Sequence, residues 1–189
     1  VFTSDNGGMF NQGGQDAWTA GHTLNGKLLG FKFDAWEGGH RVPFIARWPG
    51  KIKAGSRSKQ LICNIDMIAT LAALTGTRIK AGQGRDSVNI LPALIGEPEK
   101  PLREHVLLAA RQPSHLALRK GKWMYINARG GGGFNSRQRV APASGGPAPI
   151  TFTPRTNSDI EHGTIRKEAP PAQLYDLPAD HPQTDHRYH

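Results

Sequence analysis

The chain has 189 residues, 37% of them hydrophobic, with 24 Lys and Arg against 15 Asp and Glu for a formal net charge of +9. That hydrophobic share excludes a disordered chain and suits one or two small folded units; no apolar run approaches the ~20 residues of a membrane-spanning helix. Lys and Arg are scattered, apart from short groups such as Arg119-Lys120-Gly121-Lys122, and no basic helix or aromatic-basic RNA motif occurs. The charge therefore leans toward an anionic partner, with neither nucleic acid nor membrane expected.

In chain order, Val1–Ser4 reads as the end of a buried strand, stopped by the turn Asp5-Asn6-Gly7-Gly8. A domain seldom starts inside its sheet, so residues upstream are expected, any signal peptide among them. Residues 9–30, rich in Gly, Asn and Gln, read as a loop, and Gly38-Gly39 as a tight turn. Val42–Trp48 is apolar enough for a strand closed by Pro49-Gly50. The spacing of Ile65, Ile68, Ala69, Ala72 and Ala73 predicts a helix over Asn64–Leu74 with those residues on one face, and Gly76 is its stop.

The stretch Gly96–Pro101 holds two prolines among charged residues and marks a boundary, giving units 1–98 and 99–189. Beyond it His105–Ala110, Ser114–Arg119 and Trp123–Asn127 read as strands, the last two forming a hairpin through Lys120-Gly121-Lys122. Residues 129–149, rich in Gly, Pro and Ser, read as a mobile loop, and Gln173–Leu177 as a last strand. The tail from Asp180 to His189 is polar and His-rich, a solvated end or an adventitious metal binder. There is no internal repeat. The expected fold is α/β.

Asp5 and Asn6 set two oxygen-bearing side chains just past a strand end, where open α/β sheets collect ligands. On their own they are either an Asp-Asn-Gly turn or part of a site for a hard cation such as calcium or magnesium. The residues downstream decide between the two. Ser4-Asp5-Asn6-Gly7 is succeeded by Gly30-Phe31-Lys32, and five residues after that lysine comes Glu37-Gly38-Gly39. Then come Arg41-Val42-Pro43 and Trp48-Pro49-Gly50. In this order and spacing the pieces resemble the type I, formylglycine-dependent sulfatases, arylsulfatase-like enzymes of the alkaline phosphatase superfamily, and most of all those of marine polysaccharide-degrading bacteria. The likeness continues more loosely through Asp66, and returns at Leu116–Ile126 and Gln173–Leu177; residues 128–170 match poorly.

The resemblance implies a division of the chain. Residues 1–98 end the mixed α/β sheet of a sulfatase catalytic domain, and 99–189 form a small C-terminal antiparallel-sheet subdomain. It also implies roles for single residues. Asp5 and Asn6 match two calcium ligands. Lys32 matches the lysine that contacts the sulfate ester; Lys27 is a rival, but the count back from Glu37 selects Lys32. His22 either faces the substrate or sits in a surface loop, whereas His40 is read as structural. Glu37, Gly38, Gly39 and Arg41 are read as structural too, with Glu37 and Arg41 a candidate buried pair. The implied activity is hydrolysis of sulfate esters, on sulfated polysaccharides or oligosaccharides. The implied cofactor is one calcium ion, and the nucleophile is a formylglycine made from the Cys or Ser of a Cys/Ser-x-Pro-x-Arg motif.

That motif is absent. Cys63, the one cysteine, is followed by Asn64-Ile65-Asp66-Met67 and reads as a small buried residue ahead of a helix. It allows no internal disulfide and leaves the compartment open; the resemblance implies a periplasmic or extracellular protein. The 189-residue chain alone is expected to be inactive and to bind calcium poorly. Gly130–Gly133 is no phosphate loop, since no Lys-Ser/Thr follows it. Two alternatives stay open: a phosphoesterase or phosphonate hydrolase of the same superfamily, and a non-catalytic, sulfatase-like glycan binder. Oligomeric state is not legible.

Overall fold

The structure is a computed structural model that describes residues 1–134 and 145–187. In chain order its elements are β1 (Phe2–Thr3), α1 (Gln12–Thr19), α2 (Glu37–His40), β2 (Phe44–Ile45), α3 (Met67–Thr75) and α4 (Leu91–Ile95), then β3 (His105–Ala109), β4 (Leu116–Lys120) and β5 (Trp123–Ile126), and finally β6 (Ile160–Glu161), β7 (Thr164–Ile165) and β8 (Gln173–Asp176). Short 3₁₀ turns cover Asn64–Asp66 and Ala148–Phe152. This mixture of helices and antiparallel pairs agrees with the α/β expectation.

Two compact units form, and they cut across a division by chain order at residue 98. One joins Val1–Thr3 to Pro43–Val106; the other joins Ser4–Val42 to Leu107–His189. The reason lies in the apolar residues of the early segment. Phe10, Leu29, Phe31, Ala35 and Trp36 share one core with Ala117, Met124, Ile126, Ile150, Tyr175 and Leu177.

In the first unit β1 pairs antiparallel with β2, Phe2 opposite Ile45. The strand expected over Val1–Ser4 is present but not buried: Val1 and Phe2 are exposed. The predicted helix over Asn64–Leu74 forms as a 3₁₀ turn running into α3, and Gly76 ends it at φ 67°, the left-handed cap that glycine takes without a Cβ clash. Its buried residues are polar. Asp66 accepts from the amides of Cys63 at 2.8 Å and Val88 at 2.9 Å and pairs with Arg103. Thr70 links the Asp66 carbonyl to the Ile90 amide. Ile65 and Ile68, predicted on the apolar face, are 44% and 54% exposed. Cys63 is half-buried and free rather than fully buried.

In the second unit the sheet order is β3-β4-β5-β8. The predicted hairpin is there: Lys120 pairs with Trp123 across Gly121-Lys122, and Gly121 has φ 55°, as a tight two-residue turn requires. Strand alternation buries Ala117, Met124, Ile126 and Tyr175 and leaves Leu118, Trp123 and Tyr125 partly exposed. The buried polar atoms on this face satisfy one another. Trp36 Nε1 and the Tyr175 hydroxyl both donate to Gln173 Oε1, at 2.9 and 2.7 Å, and Asn157 Nδ2 donates to the Tyr175 oxygen at 3.0 Å.

Three segments depart from expectation. Residues 9–30 contain a helix, α1, despite Gly13 and Gly14: Asn11 caps it by accepting from the Gly14 amide, and Phe10 packs edge-on to Trp18 at 6.0 Å. The stretch 129–149, read as mobile, is buried at Gly130–Gly133 and Gly145–Ile150; residues 135–144 lie outside the described residues. The tail is folded over residues 180–187, with Gln183 and His186 buried, and 188–189 lie outside the described residues. Asp180 accepts from the Thr184 and Asp185 amides, and His186 is buried against Asp159 at 2.9 Å. Among the described residues no group of three or more His, Cys, Asp or Glu could hold a metal.

The strongest charge constraint in this unit is Glu37, 0% exposed in its side chain, which pairs with Arg41 at 2.8 Å and Arg119 at 3.2 Å. Removing one partner of a buried pair leaves uncompensated charge behind, at about 3–5 kcal/mol. Urea unfolding of Glu37→Ala should show a loss on that scale. Lys122→Ala, which breaks a half-exposed pair with Asp176, should stay within about 0.5 kcal/mol.

Candidate functional site

The residues singled out by motif lie on two turns of the second unit, and backbone hydrogen bonds join those turns. Asp5 and Asn6 come just after β1. The Ser4 hydroxyl donates to the Asn6 carbonyl at 2.9 Å, and Asn6 Nδ2 donates to the Gly7 carbonyl at 2.9 Å. The Asn6 amide is thereby fixed with its Oδ1 left as the acceptor. Asp5 is exposed, and no ion pair is described for it. Gly7 is buried and donates to the Gly39 carbonyl at 2.9 Å. A Cβ on Gly7 would run into the Gly38 backbone, which is why this turn needs glycine.

The next link is Gly8, whose carbonyl accepts from the Lys32 amide at 2.9 Å. The Asp5-Asn6 turn and the lysine are thus brought together through two adjacent glycines. Asn25, which sequence reasoning passed over, braces the same place. Its Oδ1 accepts from the Gly8 amide at 2.7 Å and its Nδ2 donates to the Gly30 carbonyl at 3.1 Å. It does so from φ 58°, a conformation that Asn tolerates better than most residues. A lone Asn before Gly26 signals only a turn, so the bridge was not legible.

Lys32 is half-buried, with its ammonium 5.3 Å from the centre of the Phe33 ring. Phe33 takes φ 82°, a strained value for a residue with a side chain. Asp34 closes the turn, its Oδ2 accepting from the Phe31 amide at 2.9 Å. Phe33 meets Phe134 edge to face at 5.0 Å, and the Arg111 guanidinium lies 3.9 Å from the Phe134 centroid.

His22 follows helix α1. Its amide donates to the Ala17 carbonyl at the end of α1, and its side chain is exposed. His40 faces inward and hydrogen-bonds the Ala35 carbonyl through Nε2 at 3.0 Å. Burial lowers its pKa and favours neutral imidazole, as fits a structural residue. Arg155, in the poorly matching stretch, was also missed. It lies 4.9 Å from the Phe31 ring centre and 5.1 Å from that of Trp18 and donates to the Leu24 and Gly26 carbonyls, clamping the segment that carries Asn25. Burial brings its pKa down to about 10, so it keeps its charge at neutral pH.

These residues fit a calcium ion in part. One carboxylate and one amide oxygen are suitable donors, but calcium takes about six to eight oxygens, and the described residues bring only these two together. Lys32 supplies a held positive charge on the neighbouring turn.

Residues 1–77 match the family model described as Sulfatase. The chain belongs to the sulfatase family. It is 38% identical to an N-acetylgalactosamine-6-O-sulfatase of Bacteroides thetaiotaomicron over 129 residues, 67% of this chain and 25% of that protein. It is 30% identical to an ulvan-active sulfatase of Formosa agariphila over 172 residues, 86% of this chain and 31% of that protein. Among solved structures, one concerned with the metabolism of multiple glycosaminoglycans by Bacteroides thetaiotaomicron superposes with a TM-score of 0.68 and 32% identity, over 98% of this chain and 34% of that one. The chain thus spans about a quarter to a third of the length of the sulfatases and the solved structure it matches.

The Asn25 bridge gives a test of how the site is held. Asn25→Ala leaves the Gly8 amide and Gly30 carbonyl unpaired and strains the backbone, which should cost about 2 kcal/mol in thermal or urea unfolding. Asn25→Gly keeps the backbone conformation and should cost less.

Proposed function

We propose that this chain is a C-terminal part of a longer sulfatase that hydrolyses sulfate esters of polysaccharides or their oligosaccharides. The observation that carries the reading is the joining of the Asp5-Asn6 turn to the Lys32 turn through Gly7, Gly8 and Gly39. That joining supports a site in which the two oxygen donors of one turn and the ammonium of the other serve one sulfuryl group. Lys32 balances negative charge on the sulfuryl oxygens as the ester bond breaks. Asp5 and Asn6 would hold one edge of a calcium ion, whose chemistry when bound is to polarise the sulfuryl group. The remaining metal ligands and a formylglycine nucleophile belong, on this reading, to the rest of the longer protein.

The glycan substrate draws support from two relatives, one named for N-acetylgalactosamine 6-O-sulfate and one for ulvan. We place the protein in the periplasm or outside the cell, where such polymers are met. Residues 1–98 are proposed as the end of the catalytic domain and 99–189 as the small C-terminal subdomain. His22 keeps a proposed place beside the substrate on resemblance alone.

The experiment uses the full-length protein and a chromogenic aryl sulfate. Lys32→Ala should lower turnover by about 10²-fold or more, the scale of losing one preorganised charge at the reacting group. Turnover near the wild-type rate would show that Lys32 is not the sulfate contact. Chelation should abolish the activity and calcium restore it. A phosphate ester cleaved faster than the sulfate ester would move the assignment to the phosphoesterase branch. The isolated 189-residue chain should show no turnover.

A further inference from the structure

Asp34 is a buried carboxylate that sulfate chemistry does not use. It lies two residues past Lys32 and is 3% exposed. Three backbone amides converge on it. Oδ2 accepts from Phe31 at 2.9 Å, while Oδ1 accepts from Gly133 at 3.1 Å and from Gly146 at 2.6 Å. Each described hydrogen bond to the carboxyl comes from the backbone, and no charged group among the described residues is shown bonded to it. The charged or titratable side chains on the surrounding segments are Lys32 on the same turn, Arg111, whose amide donates to the Phe33 carbonyl, and His115, against Gly132. Arg111 is occupied with the Phe134 ring and His115 with the Arg129 carbonyl.

Two glycines of the run 130–133, Gly131 and Gly133, are explained by the same contact. A Cβ on Gly133 would lie 2.6 Å from Asp34 Oδ1, and one on Gly145 would lie 2.8 Å from the Lys32 carbonyl oxygen. Side chains of any size would push these segments off the Lys32 turn. The Gly-rich run is a close-packed seat for the carboxylate. A connector free to move would not need to approach it so nearly.

We propose that Asp34 is a positioning residue for Lys32: its carboxylate fastens the strained Phe31–Asp34 turn, which presents the lysine, to Gly133 and Gly146. The inference rests on Lys32 as the sulfate contact. Ionised, the carboxylate meets three N–H donors with acceptor oxygens alone. Protonated, it loses its charge and gains an O–H donor, which weakens the amide links that the charged oxygens accept. Burial raises its pKa from 3.8 to about 7, which puts this change within the working range of an enzyme.

The sign separates a positioning role from a structural one. A carboxyl whose folded pKa is raised binds a proton in the native state that the unfolded chain, with its ordinary pKa, does not. The stability from that proton is present at low pH and is lost as pH rises through about 7. Acid therefore favours the fold at this residue while loosening the clasp.

The test uses the full-length protein with 4-nitrophenyl sulfate between pH 5.5 and 9, alongside hydrogen exchange of peptides containing Gly133 and Gly146. In the wild type, kcat/KM should fall about tenfold per unit below pH 7, and exchange at these glycines should speed up there after correction for intrinsic rates. At pH 8, Asp34→Asn should lower kcat about tenfold or more with little change in KM. It should flatten the acid limb and raise exchange at both glycines. Lys32→Ala should lose turnover while exchange stays at the wild-type rate.

Wild-type kcat/KM and pH profile in Asp34→Asn would overturn the proposal, as would unchanged exchange at Gly133 and Gly146. Wild-type turnover in Lys32→Ala would overturn the Lys32 assignment and the positioning role with it, leaving the clasp to the exchange result. Should the Asn variant not fold, the wild-type exchange profile still decides: no acceleration below pH 7 refutes the clasp.

Discussion

The larger of the two units is organised around a carboxylate with no exposure to water. Glu37 begins the short turn of helix α2, yet its partners come from three places in the chain. Arg41 lies one helical turn beyond it, Arg119 comes from strand β4, and the Glu37 amide donates to Gln183 Oε1 at 2.7 Å. A charge so placed has to be neutralised where it sits, because its desolvation costs far more than any exposed pair returns. The Glu-Gly-Gly segment, the sheet and the tail are therefore tied to one another by a single requirement. Gly38 and Gly39 are needed because a Cβ on either would strike backbone, that of Leu29 and Gly30 or of Phe31 and Asp34. The same Gly39 carbonyl accepts from Gly7, so the requirement at Glu37 reaches the turn that carries Asp5 and Asn6.

Among the described residues four carboxylates are buried, and each is handled differently; Asp159 pairs with His186. Asp66 has two backbone amides and Arg103, a full complement for a structural corner. Glu37 has two arginines. Asp34 has three amides and, among the described residues, no cation, and burial raises its pKa. Amide dipoles stabilise the charged form less than a guanidinium does, so desolvation wins at Asp34. The difference marks where the fold is settled and where it remains responsive to protons, two residues from the lysine.

Much of this was legible in the sequence, because period-two patterning and turn chemistry are local. The β4–β5 hairpin is written in Lys120-Gly121-Lys122, the cap of α3 in Gly76, and the pairing of Glu37 with Arg41 in their four-residue spacing. The order of Asp5-Asn6, Lys32 and Glu37-Gly38-Gly39 carried the family. What could not be read is non-local. Arg119 as a second partner of Glu37, 82 residues away, has no local signal. Helix α1 is coded by a single cap and two aromatic contacts against a background of glycine and glutamine. His186 looks like a tail residue until Asp159 is placed beside it. Composition misled outright at Gly130–Gly133, where glycine signals close approach and not freedom to move.

That last case bears on how the site works. The sulfate contact proposed for Lys32 has to be held within a fraction of an ångström, although lysine carries about 2 kcal/mol of rotamer entropy. The fold addresses this from the backbone outward. The Lys32 amide is fixed to Gly8, the turn on its far side to Asp34, and the ring of Phe33 stands under the ammonium. Phe33 adopts its strained φ because the bonds on both sides of it leave no relaxed alternative. Strain at one residue, a carboxylate with no cation among the described residues at the next and glycines packed against that carboxylate belong to one device. It spends local stability to hold the Lys32 turn in place, and it is assembled from segments more than a hundred residues apart.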